Sequence, residues 1–206
     1  MKKLIVFVAS LLIAASAHAQ VGVVAGITSS HTDLKSAYGD VKNVTQYHVG
    51  VTYKFGVLGN MLAVQPSLIY NVKGSKFEDI AGIGDIDFKN GFLEIPVQVQ
   101  LRLFGLGDLA HVYAVAEPFV GCALTNNVTG SILGVSSSDS YKWENFGDRL
   151  EYGIGVGAGV ELIKHVQVSV RYFWNFADAA GYLTQVQNAL KSEKASGIVA
   201  SVALLF

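Results

Sequence analysis

Between residues 92 and 104 the chain reads FLEIPVQVQLRLF, with Leu93, Ile95, Val97, Val99, Leu101 and Leu103 on alternate positions and Glu94, Gln98, Gln100 and Arg102 between them. A period of two puts successive side chains on opposite faces of an extended strand. The pattern returns in seven other segments, near 21–29, 46–55, 62–73, 111–124, 149–162, 166–176 and 197–206. Each is about ten residues or longer, the length that crosses a bilayer at a tilt of roughly 45°. Pro66, Pro96 and Pro118 lie inside three of them and count against an ordinary central strand there.

The links between these segments alternate in length. Those near 30–44, 74–90, 125–147 and 177–195 are long and rich in Ser, Asp, Asn, Lys and Gly, whereas those near 56–61, 105–110 and 163–165 are short. In an up-and-down barrel, odd and even links lie at opposite ends. One end therefore carries four long loops, and the other carries the short turns and both termini, the asymmetry of outer-membrane barrels. Within the last long link, YLTQVQNALKSEKA (182–195) suits a short amphipathic helix or a loop equally well.

Composition sharpens this picture. Hydrophobic residues make up 51% of the chain and the mean hydropathy is +0.40, yet beyond the first twenty residues no apolar run is long enough for a spanning helix. A closed barrel is the other solution a membrane allows, because backbone groups in hydrocarbon must all be paired. The first residues, MKKLIVFVASLLIAASAHAQ, have the form of a secretory leader: Lys2 and Lys3, a short apolar run, then the small-x-small site Ala17-His18-Ala19. Cleavage between Ala19 and Gln20 divides the chain into a signal peptide, 1–19, and a barrel domain, 20–206. Loss of the two lysines takes the formal charge from −1 to −3, too small a value to point to nucleic acid. Cys122 is the only cysteine, so no internal disulfide forms.

Period two alone does not say which face meets lipid. An eight-stranded barrel has an interior only just wide enough for side chains. Gly153, Gly155, Gly157 and Gly159 suit such a space and share a face with Arg149, Glu151 and Glu161. The polar face is therefore expected inside. Tyr47, Phe55, Tyr70, Phe104, Tyr152, Tyr172, Trp174, Phe176 and Phe206 lie in phase with the apolar face, mostly toward strand ends, as aromatic girdles do.

The alternate glycines of GIGVGAG (153–159) have no following helix to form a phosphate site. His48 falls in the lumen with no serine near it in sequence, so hydrolytic chemistry is not expected and no cofactor or metal is implied. The lumen charges Glu94, Arg102, Glu117, Arg149, Glu151, Glu161 and Arg171 are costly in a low-dielectric interior unless paired. Counting from the strand ends puts Glu117 with Arg171 at mid-depth, Arg102 with Glu161 toward the short-turn end, and Glu94 with Arg149 toward the long-loop end. A salt-bridged plug is the expected outcome.

The blocks PSLIYNVKGSKF, NGFLEIPVQVQLRL, VYAVAEPFVGCALT, GIGVGAGVEL and VQVSVRYFWNF, followed by a C-terminal strand ending in Phe206, resemble the outer-membrane β-barrel domain family common in Bacteroidota, often labelled porin-family proteins. The resemblance implies an all-β, eight-stranded antiparallel up-and-down transmembrane barrel, similar in architecture to the OmpA and OmpX membrane domains. It also implies that Phe206 forms part of the signal read by the outer-membrane assembly machinery. The expected protein is a non-enzymatic monomer that contacts outer-membrane lipid and presents its loops to extracellular ligands. The alternative is a narrow channel or small-molecule conduit.

Overall fold

The computed structural model describes residues 20–32, 41–58, 61–77, 84–107, 109–132, 135–139, 150–176 and 195–206. The leader (with Ala19), Arg149 and most of segment 182–195 lie outside the described residues. Among the described residues there are nine strands: β1 Gln20–Thr32, β2 Val41–Leu58, β3 Leu62–Phe77, β4 Gly84–Leu106, β5 Ala110–Ile132, β6 Val135–Asp139, β7 Leu150–Leu162, β8 Val166–Asn175 and β9 Ala195–Leu205. Eight of them close into an antiparallel ring. Sequence neighbours pair, β5 pairs with β7, and β9 returns to β1 through a ladder from Gly22–Leu205 to Thr32–Ala195. Among the described residues no helix is long and apolar enough to cross a membrane; the strands do so, and closure leaves no edge unpaired in hydrocarbon.

The two faces sort by chemistry. Along β8, Gln167, Ser169, Arg171, Phe173 and Asn175 are buried while Val168, Val170, Tyr172 and Trp174 are exposed. β7 alternates likewise, with Glu151, Gly153, Gly155, Gly159 and Glu161 turned in. The exposed set around the barrel is Val, Leu, Ile and aromatic, and the buried set is rich in Gln, Ser, Glu and Asn. That is the reverse of a soluble protein and fits a hydrocarbon surround.

Two expected loops are corrected. Segments 74–90 and 125–147 read as long links, but β3 runs on to Phe77, β4 begins at Gly84, and β5 continues to Ile132 with β6 paired to its outer part. Between β3 and β4, residues 78–83 lie outside the described residues. Ser, Lys and Asn obscure the hydrophobic alternation there, but ladder pairing needs only backbone, and it persists from Val72–Gly91 to Phe77–Ile86.

The prolines sit inside paired strands after all. The β2–β3 ladder skips Tyr53–Pro66 and Lys54–Gln65, the β3–β4 ladder skips Ser67–Pro96 and Leu68–Ile95, and the β4–β5 ladder skips Val97–Pro118 and Gln98–Glu117; each resumes in the same register. A proline offers no N–H to the preceding strand, and the three gaps line up across four neighbouring strands. Side chains partly bridge the first gap: the Thr52 hydroxyl donates to the Pro66 carbonyl at 3.3 Å and Ser67 donates to Thr52 at 2.8 Å. Amide hydrogen exchange in micelles is expected to be faster at Tyr53, Ser67 and Val97, which stand opposite the prolines at the gaps, than at Val156, Val168 or Val170, whose ladders are continuous; equal protection would show that the gaps are closed in solution.

Candidate functional site: the polar lumen

Three groups of side chains fill the described interior. In the first, toward the end where β4 and β5 extend, Lys73 of β3 lies 2.8 Å from Glu94 Oε1 and 3.0 Å from Glu151 Oε1. Asn71 Nδ2 donates to Glu94 at 2.9 Å and Asn175 Nδ2 to Glu151 at 3.0 Å. The Lys73 ammonium also lies 5.4, 4.9 and 5.2 Å from the ring centroids of Phe92, Phe119 and Phe173, within cation–π range. Two buried carboxylates thus share one cation, and three aromatic rings enclose it.

At mid-depth, Arg171 Nε lies 3.1 Å from Glu117 Oε1. The guanidinium donates to Ser169 at 2.7 Å and to Ser201 at 2.8 Å. The Nε hydrogen is not aimed at the carboxylate, and Glu117 Oε2 finds no partner among the described residues, so this pair is held by charge more than by directed hydrogen bonding. Ser201 is also 2.9 Å from His48 Nε2, whose Nδ1 is 3.2 Å from Thr28; Thr28 donates to Asn71 at 3.1 Å. A continuous run of polar contacts therefore joins Glu117 to Asn175 through Arg171, Ser201, His48, Thr28, Asn71, Glu94, Lys73 and Glu151.

The third group lies at the short-turn end. Lys54 pairs with Glu161, Gln167 Nε2 donates to Glu161 at 2.7 Å and to Gln100 at 3.3 Å, and Gln100 donates to Gln65 at 2.9 Å and to Gln98 at 2.8 Å. Glutamine carries both donors and acceptors, so a glutamine cluster satisfies itself without net charge.

The glycine strand makes room for these side chains. A Cβ on Gly153 would collide with the Phe119 ring, and one on Gly159 with the Tyr113 ring. At Gly155 the nearest atom is Glu117 Cβ at 3.6 Å, an ordinary contact.

Glu94, Glu117, Glu151, Glu161 and Arg171 are all buried inside. Of the two expected pairings whose members are both among the described residues, Glu117 with Arg171 is the one present; Arg149, expected with Glu94, lies outside them. Glu161 pairs with Lys54 and not with Arg102, which is half-buried, while Glu94 pairs with Lys73. Lys54 and Lys73 lie in lumen phase near strand ends, where a long side chain reads as reaching for solvent; their phase was the available signal. Phe92, Phe119 and Phe173 carry the same phase signal. His48 does have a serine, Ser201, 153 residues away. Its other ring nitrogen faces Thr28 and not a carboxylate, so the orienting group of a catalytic triad is missing from that position. Among the described residues no three His, Cys, Asp or Glu side chains converge to hold a metal.

A closed antiparallel barrel with lipid-facing apolar residues and a polar interior defines an outer-membrane protein. The model of the outer membrane protein beta-barrel domain matches residues 14–181, and the chain belongs to that family. Comparison with curated proteins finds no match. Among solved structures the chain is similar to Ail, the attachment invasion locus protein of Yersinia pestis, solved in complex with the heparin analogue sucrose octasulfate (14% identity, 92% of this chain and 99% of that one, TM-score 0.46). It is also similar to Neisserial surface protein A (14%, 91% and 97%, 0.43) and to OprG from Pseudomonas aeruginosa (10%, 91% and 93%, 0.45).

Lys73→Met is expected to destabilise the folded barrel by about 3 kcal/mol or more, because it leaves two carboxylates buried without a cation. Adding Glu151→Gln should recover a substantial part; denaturant titration of the two variants measures both, and a Lys73→Met variant as stable as the parent would refute the assignment. Gly159→Ala should destabilise by about 1–3 kcal/mol through overpacking, with Gly155→Ala near neutral, in the same titration.

Proposed function

We propose that this chain is a non-enzymatic outer-membrane barrel of the Bacteroidota small-porin type. In this reading its lumen is closed by the polar network, and its role is to stabilise the envelope and to present the long-link end to extracellular ligands. The observation that carries this reading is the lateral packing of the interior: at each of three levels a cation is drawn to a carboxylate from another strand, with glutamine or aromatic side chains filling the space between. Water and ions would have to break buried ion pairs to pass, and separating such a pair costs several kcal/mol. In this reading the mature chain begins at Gln20, is inserted by the assembly machinery that reads Phe206, and works as a monomer.

The alternative, a narrow channel, has one observation in its favour. His111 Nδ1, Tyr113 OH, Glu117 Oε2 and Arg171 Nε are buried polar atoms without a protein hydrogen-bond partner among the described residues. Such groups are ordinarily satisfied by water, and all four lie in the lower and middle lumen.

Planar-bilayer recording separates the two readings. The plugged barrel is expected to give no stable open level, and liposomes containing it should not swell in graded sugars; steady conductance with size-dependent swelling would establish the channel instead.

A further inference from the structure

We infer that His48 is fixed as the tautomer with its hydrogen on Nδ1, and that through it a chain of hydrogen bonds running one way, from Arg171 to Glu94, joins the mid-depth and outer ion pairs into a single latch. Strand register sets the chain up. Asn71, His48, Gly26 and Ser201 stand in one row across β3, β2, β1 and β9. A Cβ on Gly26 would come within 2.7 Å of both His48 Cε1 and Nε2, so the missing side chain is what lets the imidazole lie across β1 and reach the next strand. Thr28, two residues along β1 on the same face, meets the other side of the ring.

The direction of the chain follows from two ends that have no choice. A guanidinium only donates, and an ionised carboxylate only accepts. Arg171 Nη2 therefore donates to Ser201 Oγ at 2.8 Å. At the other end Glu94, ion-paired to Lys73, takes the Asn71 amide nitrogen at 2.9 Å, which leaves Asn71 Oδ1 to accept from Thr28 at 3.1 Å. Thr28 has one hydroxyl hydrogen and gives it to Asn71. Its oxygen can face His48 Nδ1, at 3.2 Å, only as an acceptor, so Nδ1 carries the ring hydrogen. The bare Nε2 then accepts from Ser201 at 2.9 Å. The opposite tautomer would set two lone pairs against each other at Nδ1 and turn the Ser201 hydrogen away from the ring.

Hydrogen bonds arranged head to tail polarise one another, and here a cation stands at the head and an anion at the foot. None of the six residues is more than 5% exposed, so water does not compete for their polar groups. Releasing Glu94 frees the Asn71 amide, and with it the hydroxyl of Thr28 and the ring of His48. Ser201 then loses its acceptor, and the disturbance reaches Arg171, whose own carboxylate is Glu117. The outer and mid-depth layers therefore hold or give way together. The inference rests on the polar lumen and not on whether that lumen conducts, which the bilayer recording decides separately.

The test is nitrogen NMR on the mature chain, isotope-labelled in histidine and arginine and refolded in detergent micelles at neutral pH. Loss of a signal set in His48→Gln identifies the His48 ring, which is expected to show a protonated Nδ1 and a bare Nε2. Thr28→Val removes the accepting oxygen. In that variant the ring is expected to turn over to the Nε2-protonated tautomer, and the Arg171 side-chain hydrogens, three hydrogen bonds away, to exchange several-fold faster. Thr52→Val removes another buried hydroxyl outside the chain and is expected to change neither. Heat-modifiable gel migration verifies folding, and Thr28→Ala replaces Thr28→Val if the latter fails it. A parent ring protonated at Nε2, or at both nitrogens, would overturn the tautomer and the chain with it. Arg171 exchange that Thr28→Val leaves unchanged, or that Thr52→Val raises equally, would overturn the latch.

Discussion

Hydrocarbon offers no partner to a peptide N–H or C=O, and the rest of this molecule follows from that shortage. Every strand must be paired on both sides, so the sheet closes, and closure with eight strands leaves an interior only as wide as the side chains that fill it. The β9–β1 ladder is therefore as necessary as any hairpin, although it joins the two ends of the domain. The proline line across β2 to β5 is a place where the rule is relaxed, and there Thr52 and Ser67 supply hydroxyls toward the gap.

A narrow interior then imposes its own rule on charge. Each buried carboxylate must find a cation within side-chain reach, and the reach of lysine matters more than its position on the strand. Lys73 enters from β3 and meets carboxylates of β4 and β7 at once; Lys54 crosses from β2 to Glu161 of β7. The Lys73–Glu151 and Lys54–Glu161 contacts brace strands that share no ladder. The glycines of β7 complete the arrangement, since the rings of Phe119 and Tyr113 lie where their Cβ atoms would be.

Much of this was readable in the chain beforehand. The eight crossing segments and their phase follow from the period, because hydrocarbon on one side and a crowded lumen on the other force strict alternation; the inward polar face needed the further argument that so narrow an interior takes glycines and not bulky apolar residues. Three features were hidden. The outward continuation of β3, β4 and β5 lost its hydrophobic signal once it left the bilayer, where any side chain is tolerated on either face. The lysine partners were obscured by their place near strand ends, and the His48–Ser201 contact depends on the register of the closing ladder, which no local pattern encodes. Arg149 was expected opposite Glu94; it lies outside the described residues, and Lys73 occupies that role.

The outward run of β4 and β5 has a mechanical meaning. Both strands are 23 residues long, and the part of β4 above Leu93 amounts to roughly 30 Å of paired ribbon at the usual rise. A ribbon of that kind is a mast, not a tether. In the orientation proposed above, a partner that first touches the cell at this point would meet a raised platform, and a pull on it would pass as shear into the ladders of the wall below.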